Sequence, residues 1–277
     1  MMNGTTADMA KRMRLRALEM AYTSGANGAH LGGGLSAIEI MATLYHDILR
    51  VDPCAPADAN RDRLIVSKGH CVLAYYTALY ERGFLSEQDL QQFEQNGYHW
   101  HGHAMRDLVH GIEFSGGSLS MGMSFALGEA MACKAQGLDS RVYVLVGDGE
   151  CDEGLIWESA MAAAHYGLDN LTVIVDKNGL QYDGETSLVL STESLAAKFK
   201  AFGFEVAEVD GHDCGALRRA LECSEVSVQD SDKKPRCVIA HTVKGKGVSF
   251  MENDKTWHHH TLNEAQYNQA REEVEHA

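Results

Sequence analysis

Short β-branched, apolar runs alternate along this chain with longer stretches of helical periodicity, and few architectures accept that alternation. "RLIVS" (63–67), "RVYVLVG" (141–147), "LTVIVD" (171–176), "FEVAEV" (204–209) and "RCVIAHTV" (236–243) are mostly apolar without strict two-residue alternation, as strands covered on both faces are. Helices are expected between them at 71–82, 118–136, 153–166, 192–201 and 213–223. Two more precede the first strand. In 6–24, Met9, Met13, Ala17 and Met20 recur at helical spacing behind a threonine-rich cap; in 36–49, Ser36 stands as N-cap with Glu39 at the capping-box position. The pattern predicts an α/β fold, a doubly wound, mostly parallel sheet with right-handed crossovers and helices on both faces. With three prolines, no low-complexity linker and no internal repeat, residues 1–277 are expected to form a single domain.

Composition narrows the function classes. An apolar content of 45% suffices for a packed core. The formal charge of -15, with no basic stripe interleaved with aromatics, argues against a nucleic-acid partner. Seven cysteines (54, 71, 133, 151, 214, 223, 237) form an odd set without a C-x-x-C pair, which disfavours a disulfide framework or zinc knuckle and suits a reducing cytoplasm. The N-terminus has scattered charges and no apolar h-region, and no window of 18 uncharged apolar residues follows. Neither export nor a membrane span is expected.

In parallel sheets of this kind ligands sit beyond the carboxyl ends of the strands. Here those ends run into "KGH", "DGECDEG", "KNGLQYDG" and "KGKG". Asp148 lies between Gly147 and Gly149, and Asn178 follows 30 positions later, one crossover away, so the two can face each other across neighbouring strand ends. Both are hard oxygen donors. Magnesium takes one or two carboxylates and completes an octahedron with carbonyl, phosphate and water oxygens; Asp148, Asn178 and one backbone carbonyl beyond it would leave room for a diphosphate. The flanking glycines admit close backbone approach, and the helix at 153–166 would direct its first amides there. A strand-end aspartate also commonly caps the next helix, and G-D-G alone is an ordinary turn, so both readings stand at this point. The ensemble of G-D-G after a strand, 28 intervening residues and Asn-Gly after the next strand favours the ion.

The segment "GDGECDEGLIWESAMAAAHYGLDNLTVIVDKNG" resembles the thiamine diphosphate signature of transketolases, and the likeness runs from residue 9 to about 262. "DRLIVSKGH" (62–70), "GHA" (102–104), "GGSLSMG" (116–122), "AMAAAHYGLDNL" (160–171) and "HTVKGKG" (241–247) resemble, in order, blocks of the family's diphosphate-binding domain. The resemblance implies that Asp148, Asn178 and the Leu180 carbonyl ligate Mg²⁺, with Ca²⁺ or Mn²⁺ able to substitute. It further implies that Gly117, Ser118, Leu119, Gly149 and, beside them, His70, Gly147, Glu150 and Lys244 contact thiamine diphosphate.

Fourteen histidines are present, and four fall in family blocks: His30, His70, His103 and His258. The resemblance places them along the substrate channel, where an imidazole can donate or accept near neutral pH. An isolated loop histidine is otherwise an ordinary solvated residue. Where the family has Trp-His-Gly, this chain reads Trp257-His258-His259-His260, which blurs the register there. Lys244 and Lys246 sit where an anion would arrive, or else are exposed charges. Glu153 and Glu158, five residues apart, are turned by roughly 140° on a helix and cannot share a face; the family's matching glutamates lie at the subunit interface. The loop blocks Gly117 to Gly122 and Gly28 to Gly32 also depart from the family pattern, which bears on substrate preference more than on the cofactor.

Full transketolases carry, beyond this domain, a pyrimidine-binding domain and a C-terminal domain, neither of which is found here. The resemblance therefore implies the N-terminal subunit of a split transketolase, working with a separately encoded C-terminal subunit in an α₂β₂ assembly. Together they would transfer a two-carbon ketol unit from a ketose phosphate to an aldose phosphate. Rivals are another thiamine diphosphate enzyme, such as a 2-oxo acid dehydrogenase E1 α subunit or a deoxyxylulose phosphate synthase relative, and a non-catalytic cofactor-binding subunit.

Overall fold

The computed structural model describes residues 4–222 and 233–277; Cys223, the last residue of the helix expected at 213–223, lies outside the described residues. Five strands form one parallel sheet: β1 (Arg63–Val66), β2 (Val142–Gly147), β3 (Leu171–Lys177), β4 (Glu205–Asp210) and β5 (Arg236–His241), in the order β1-β2-β3-β5-β4. The register sets Gly147 of β2 beside Asp176 of β3, and Asp176 beside Ala240 of β5, so the expected strand ends do meet on one edge.

Alternate residues of each strand feed opposite apolar layers. Leu64, Val66, Tyr143, Leu145, Ile174 and Val238 join one, while Ile65, Val144, Val146, Val173, Val175 and Ile239 join the other. The first layer is closed by α1 (Thr6–Thr23), α2 (Leu31–Ser36), α3 (Ile38–Thr43) and α4 (Val72–Arg82). After α4 comes the short α5 (Glu87–Gln91). The second layer is closed by α6 (Met121–Ala135) and α7 (Gly154–His165), and, after the short α8 (Thr186–Val189), by α9 (Leu195–Ala201). α10 (Cys214–Leu221) and α11 (Glu264–His276) return to the first layer through Leu217, Leu221, Ala270 and Val274.

Two expectations are corrected. The region 36–49 is not one helix capped by Ser36: the glycine-rich segment before it is already helical, Ala37 N donates to Gly34 O, and α3 then passes into a π-helical turn, Leu44–Ile48. With a helix in place upstream there are no orphan amides for Ser36 to cap. Its buried hydroxyl donates instead to Asp176 Oδ2 at 2.7 Å, and Glu39 pairs with Arg14. Second, β4 is not covered on both faces; Glu205, Glu208 and Asp210 are exposed, as befits an edge strand carrying charge against edge-to-edge pairing.

Candidate functional site

The chain leaves β2 at Gly147 and turns through Asp148 into a 3-10 segment, Gly149–Asp152. Asp148 caps that turn, since Oδ1 accepts from Gly149 N at 2.9 Å, and it also ties two strand ends together, since Oδ2 accepts from Gly179 N at 2.6 Å. The following helix α7 has Glu153 at its N-cap with no side-chain cap bond, so Asp148 is not its cap. Asp148 is 4% exposed, and burial, then the nearby charge of Asp176, push its pKa up to about 6.

Beneath it lies a fully buried ion pair. Lys68, in the turn after β1, contacts Asp176 Oδ2, the Gly33 carbonyl at 3.0 Å and Ser36 Oγ at 3.1 Å, while Thr242 contacts Asp176 Oδ1. Burial opposes both charges, but their mutual attraction outweighs it: the Lys68 pKa is raised and that of Asp176 lowered, so the pair stays ionised. Neither residue was singled out from the sequence. The available signal was an acid ending the apolar run "LTVIVD" and a lysine opening "KGH".

Above this floor is a cleft of about 310 Å³ whose lining includes His30, His70, His103, Gly117, Leu119, Asp148, Asn178, Leu180, Tyr182 and His258. Gly147, Gly149, Glu150 and Lys68 complete its base. Lys244 is 1% exposed; its Nζ donates to the Leu180 carbonyl and to His258 Nδ1, both at 3.0 Å. Burial, then the charge of Lys68, bring the Lys244 pKa down to about 8. Asn178 Oδ1 accepts from Leu180 N at 3.1 Å, which turns the Leu180 carbonyl toward the same corner. The approach of backbone to backbone is tight: a Cβ on Gly69 would lie 2.8 Å from Gly117 N and 2.9 Å from His103 Nδ1.

The four expected imidazoles converge. His30 lies with its ring centroid 6.1, 5.0 and 5.7 Å from those of His70, His103 and His258. The structure also sorts the triple-histidine run. His258 faces the cleft, His259 sits edge-on to His30 at 4.6 Å, and His260 pairs its backbone with Ala29. His259 was missed because the run gave no register by itself. Burial is the main cause, and neighbouring imidazoles or lysines add to it: the pKa falls to about 3 for His30 and about 4 for His258, and well below the usual range for His70. They are neutral near pH 7, with buried Nδ1 atoms of His30 and His103 lacking a hydrogen-bond partner.

The remaining expected site residues brace the cleft or lie outside it. Glu150 is buried with its carboxylate taken up inside the chain, by Ser120 N at 2.7 Å, Gly147 N at 2.9 Å and the Ser67 hydroxyl, so it braces the 117–120 loop from below. Ser118 is exposed and does not line the cleft. Glu153 and Glu158 are exposed on or beside α7, away from the imidazoles. Lys246 pairs with Glu252 at 3.3 Å.

The donors suit a hard cation and a polyanion. Among the described residues no three His, Cys, Asp or Glu side chains cluster as a metal group, so a metal at this corner would rely on one carboxylate with amide and carbonyl oxygens. Asp148, Asn178 and Leu180 supply that all-oxygen set, which fits magnesium better than zinc. Residues 7–276 match the family model described as transketolase, thiamine diphosphate binding domain. The chain belongs to the transketolase family. It is 42% identical over 265 residues to one subunit of the apulose-4-phosphate transketolase of Phocaeicola vulgatus, covering 96% of this chain and 92% of that one. It is 37% identical over 246 residues to the 6-deoxy-6-sulfo-D-fructose transketolase subunit SqwG of a Clostridium species, covering 89% and 88%. Among solved structures, transketolase from Leishmania mexicana superposes with a TM-score of 0.89 at 28% identity, covering 98% of this chain and 41% of that one. The transketolase-family chain thus has a subunit-sized set of relatives and spans about two fifths of that structure.

Proposed function

We propose that this chain is the diphosphate-binding subunit of a two-chain transketolase, dependent on thiamine diphosphate and Mg²⁺. The observation that carries the reading is the convergence of Asp148, Asn178 and Leu180 with four imidazoles in one cleft. Asp148, Asn178 and Leu180 would hold the metal; Lys244 and the backbone at Gly117, Leu119 and Gly149 would hold the diphosphate. The bound cofactor supplies the carbanion chemistry of ketol transfer. The chain's own part is positional: His30, His70, His103 and His258 bind and orient substrate hydroxyls. The depressed pKa values of His30, His70 and His258 keep their ring nitrogens free to accept protons.

We take residues 1–277 as one domain and infer a separately encoded partner bearing the pyrimidine-binding half, assembled as α₂β₂. Relatives whose names make them one subunit of a transketolase support a partner. So do the exposed apolar side chains of Met121 on α6, Met161 on α7 and Leu188 on α8. The transferred unit is a two-carbon ketol and the donor a ketose carrying an anionic group, as in the substrates named for the two relatives above. We place the enzyme in the cytoplasm, a reading supported by the six described cysteines, all of them free. No described helix is long and apolar enough to cross a membrane.

The test is reconstitution. The pair, not the chain alone, should convert a ketose phosphate and an aldose phosphate, and Asp148→Ala should weaken Mg²⁺-dependent thiamine diphosphate binding by at least tenfold in calorimetry, about 1.4 kcal/mol or more. Turnover by the isolated chain, or unaltered binding in the variant, would overturn the assignment; pyruvate turnover by the pair would redirect it to the 2-oxo acid branch.

A further inference from the structure

The loop after β5 that sets Lys244 against the cleft wall, behind Leu180 and His258, is gripped from its far side. Val243 N donates to His212 Nε2 at 2.8 Å. A backbone N–H can only donate, so Nε2 is the unprotonated nitrogen and Nδ1 carries the proton, which goes to Glu39 Oε2 at 2.9 Å. The other oxygen, Glu39 Oε1, takes Arg14 Nη2 at 2.6 Å, and Arg14 Nε donates to the Lys246 carbonyl at 3.0 Å. One buried carboxylate thereby holds both sides of Lys244: the amide before it through His212, the carbonyl two residues on through Arg14. Glu39 and Arg14 are each 8% exposed. Arg14 comes from α1, Glu39 from α3 and His212 from the turn after β4, so three separate elements meet on one short loop.

A buried ion pair is a weak source of net stability, and its use as a register device is the better attested role. Here the register is that of Lys244, whose Nζ reaches Leu180 O and His258 Nδ1. We propose that Glu39, Arg14 and His212 are positioning residues that clamp the 243–247 loop, present the Lys244 ammonium to the diphosphate site and so set how tightly a diphosphate is held. None of the three lines the cleft. The effect on affinity rests on the cofactor reading above; the clamp itself does not.

Two readouts on the full chain with its partner protein separate these. His212→Leu removes the acceptor of Val243 N–H, and His212→Gln returns an oxygen to about the same place. In His212→Leu, amide hydrogen exchange over 243–247 should accelerate at least tenfold with the central strands unchanged. The Kd for thiamine diphosphate with Mg²⁺ should rise about tenfold. His212→Gln should recover most of both, and in a Lys244→Met background His212→Leu should add no further loss of affinity. Glu39→Gln, which keeps shape and removes the charge, should reproduce the pattern more weakly and serves if His212→Leu does not fold. Unchanged exchange overturns the clamp. Faster exchange with wild-type affinity, or a loss that persists in full in the Lys244→Met background, overturns its action through Lys244. A wild-type pair that binds no thiamine diphosphate sinks the cofactor reading and the affinity half with it, while exchange still decides the clamp.

Discussion

His30 shows what the cleft asks of a single side chain. Its pKa is driven down to about 3 by burial first, then by His259, His103 and His258, whereas an unfolded chain would titrate near the ordinary 6.5. Between those values the unfolded state binds more protons than the folded one, so this residue's contribution to stability falls as pH drops through 6.5. From pH 7.5 to pH 5 the loss is on the order of 2 kcal/mol. Denaturant unfolding of His30→Asn should therefore show a shallower decline over that range than the wild type, and parallel declines would mean the imidazole is not buried neutral. Asp148 was legible in the sequence because its neighbours advertise it: two glycines and an apolar run are local facts. Lys68 and Asp176 were not, since 108 positions separate them and only the fold makes them partners.

At the scale of elements, the five strands and most helices could be read from periodicity, because burial on both sides of a parallel sheet imprints itself on composition. The errors fell where local and tertiary demands part. Ser36 and Glu39 fit a capping box by spacing, yet both are spent on long-range bonds, to Asp176 and to Arg14 with His212. α11 escaped notice because only Ala270 and Val274 of its length are buried. The short turn Gly69–Cys71 after β1 offers a test of how tightly elements are set around the cleft. In Gly69→Ala the added methyl meets Gly117 N and the His103 ring, so overpacking should cost about 1–3 kcal/mol and weaken cofactor binding. Gly128→Ala on α6, where nothing lies within 4 Å, should be neutral or slightly stabilising. Equal denaturation midpoints for the two variants would contradict the packing argument.

Across the whole molecule the apolar surface is unevenly spent. Leu188 on α8 is 80% exposed, Val109 68% and Met161 on α7 58%, large apolar side chains left open to solvent. Met161→Glu and Leu188→Asp should leave the thermal midpoint of the isolated chain within the change expected of surface substitutions, about 0.5 kcal/mol, while weakening association with the partner in sedimentation by tenfold or more. Intact association in both would remove these faces from the interface. A catalytic pocket walled by two gene products behaves unlike one folded from a single polypeptide. Where both chains are dilute, halving each cuts the number of finished pockets at least fourfold. Turnover per milligram then becomes a readout of how much of each chain the cell makes, and an excess of either one goes unused.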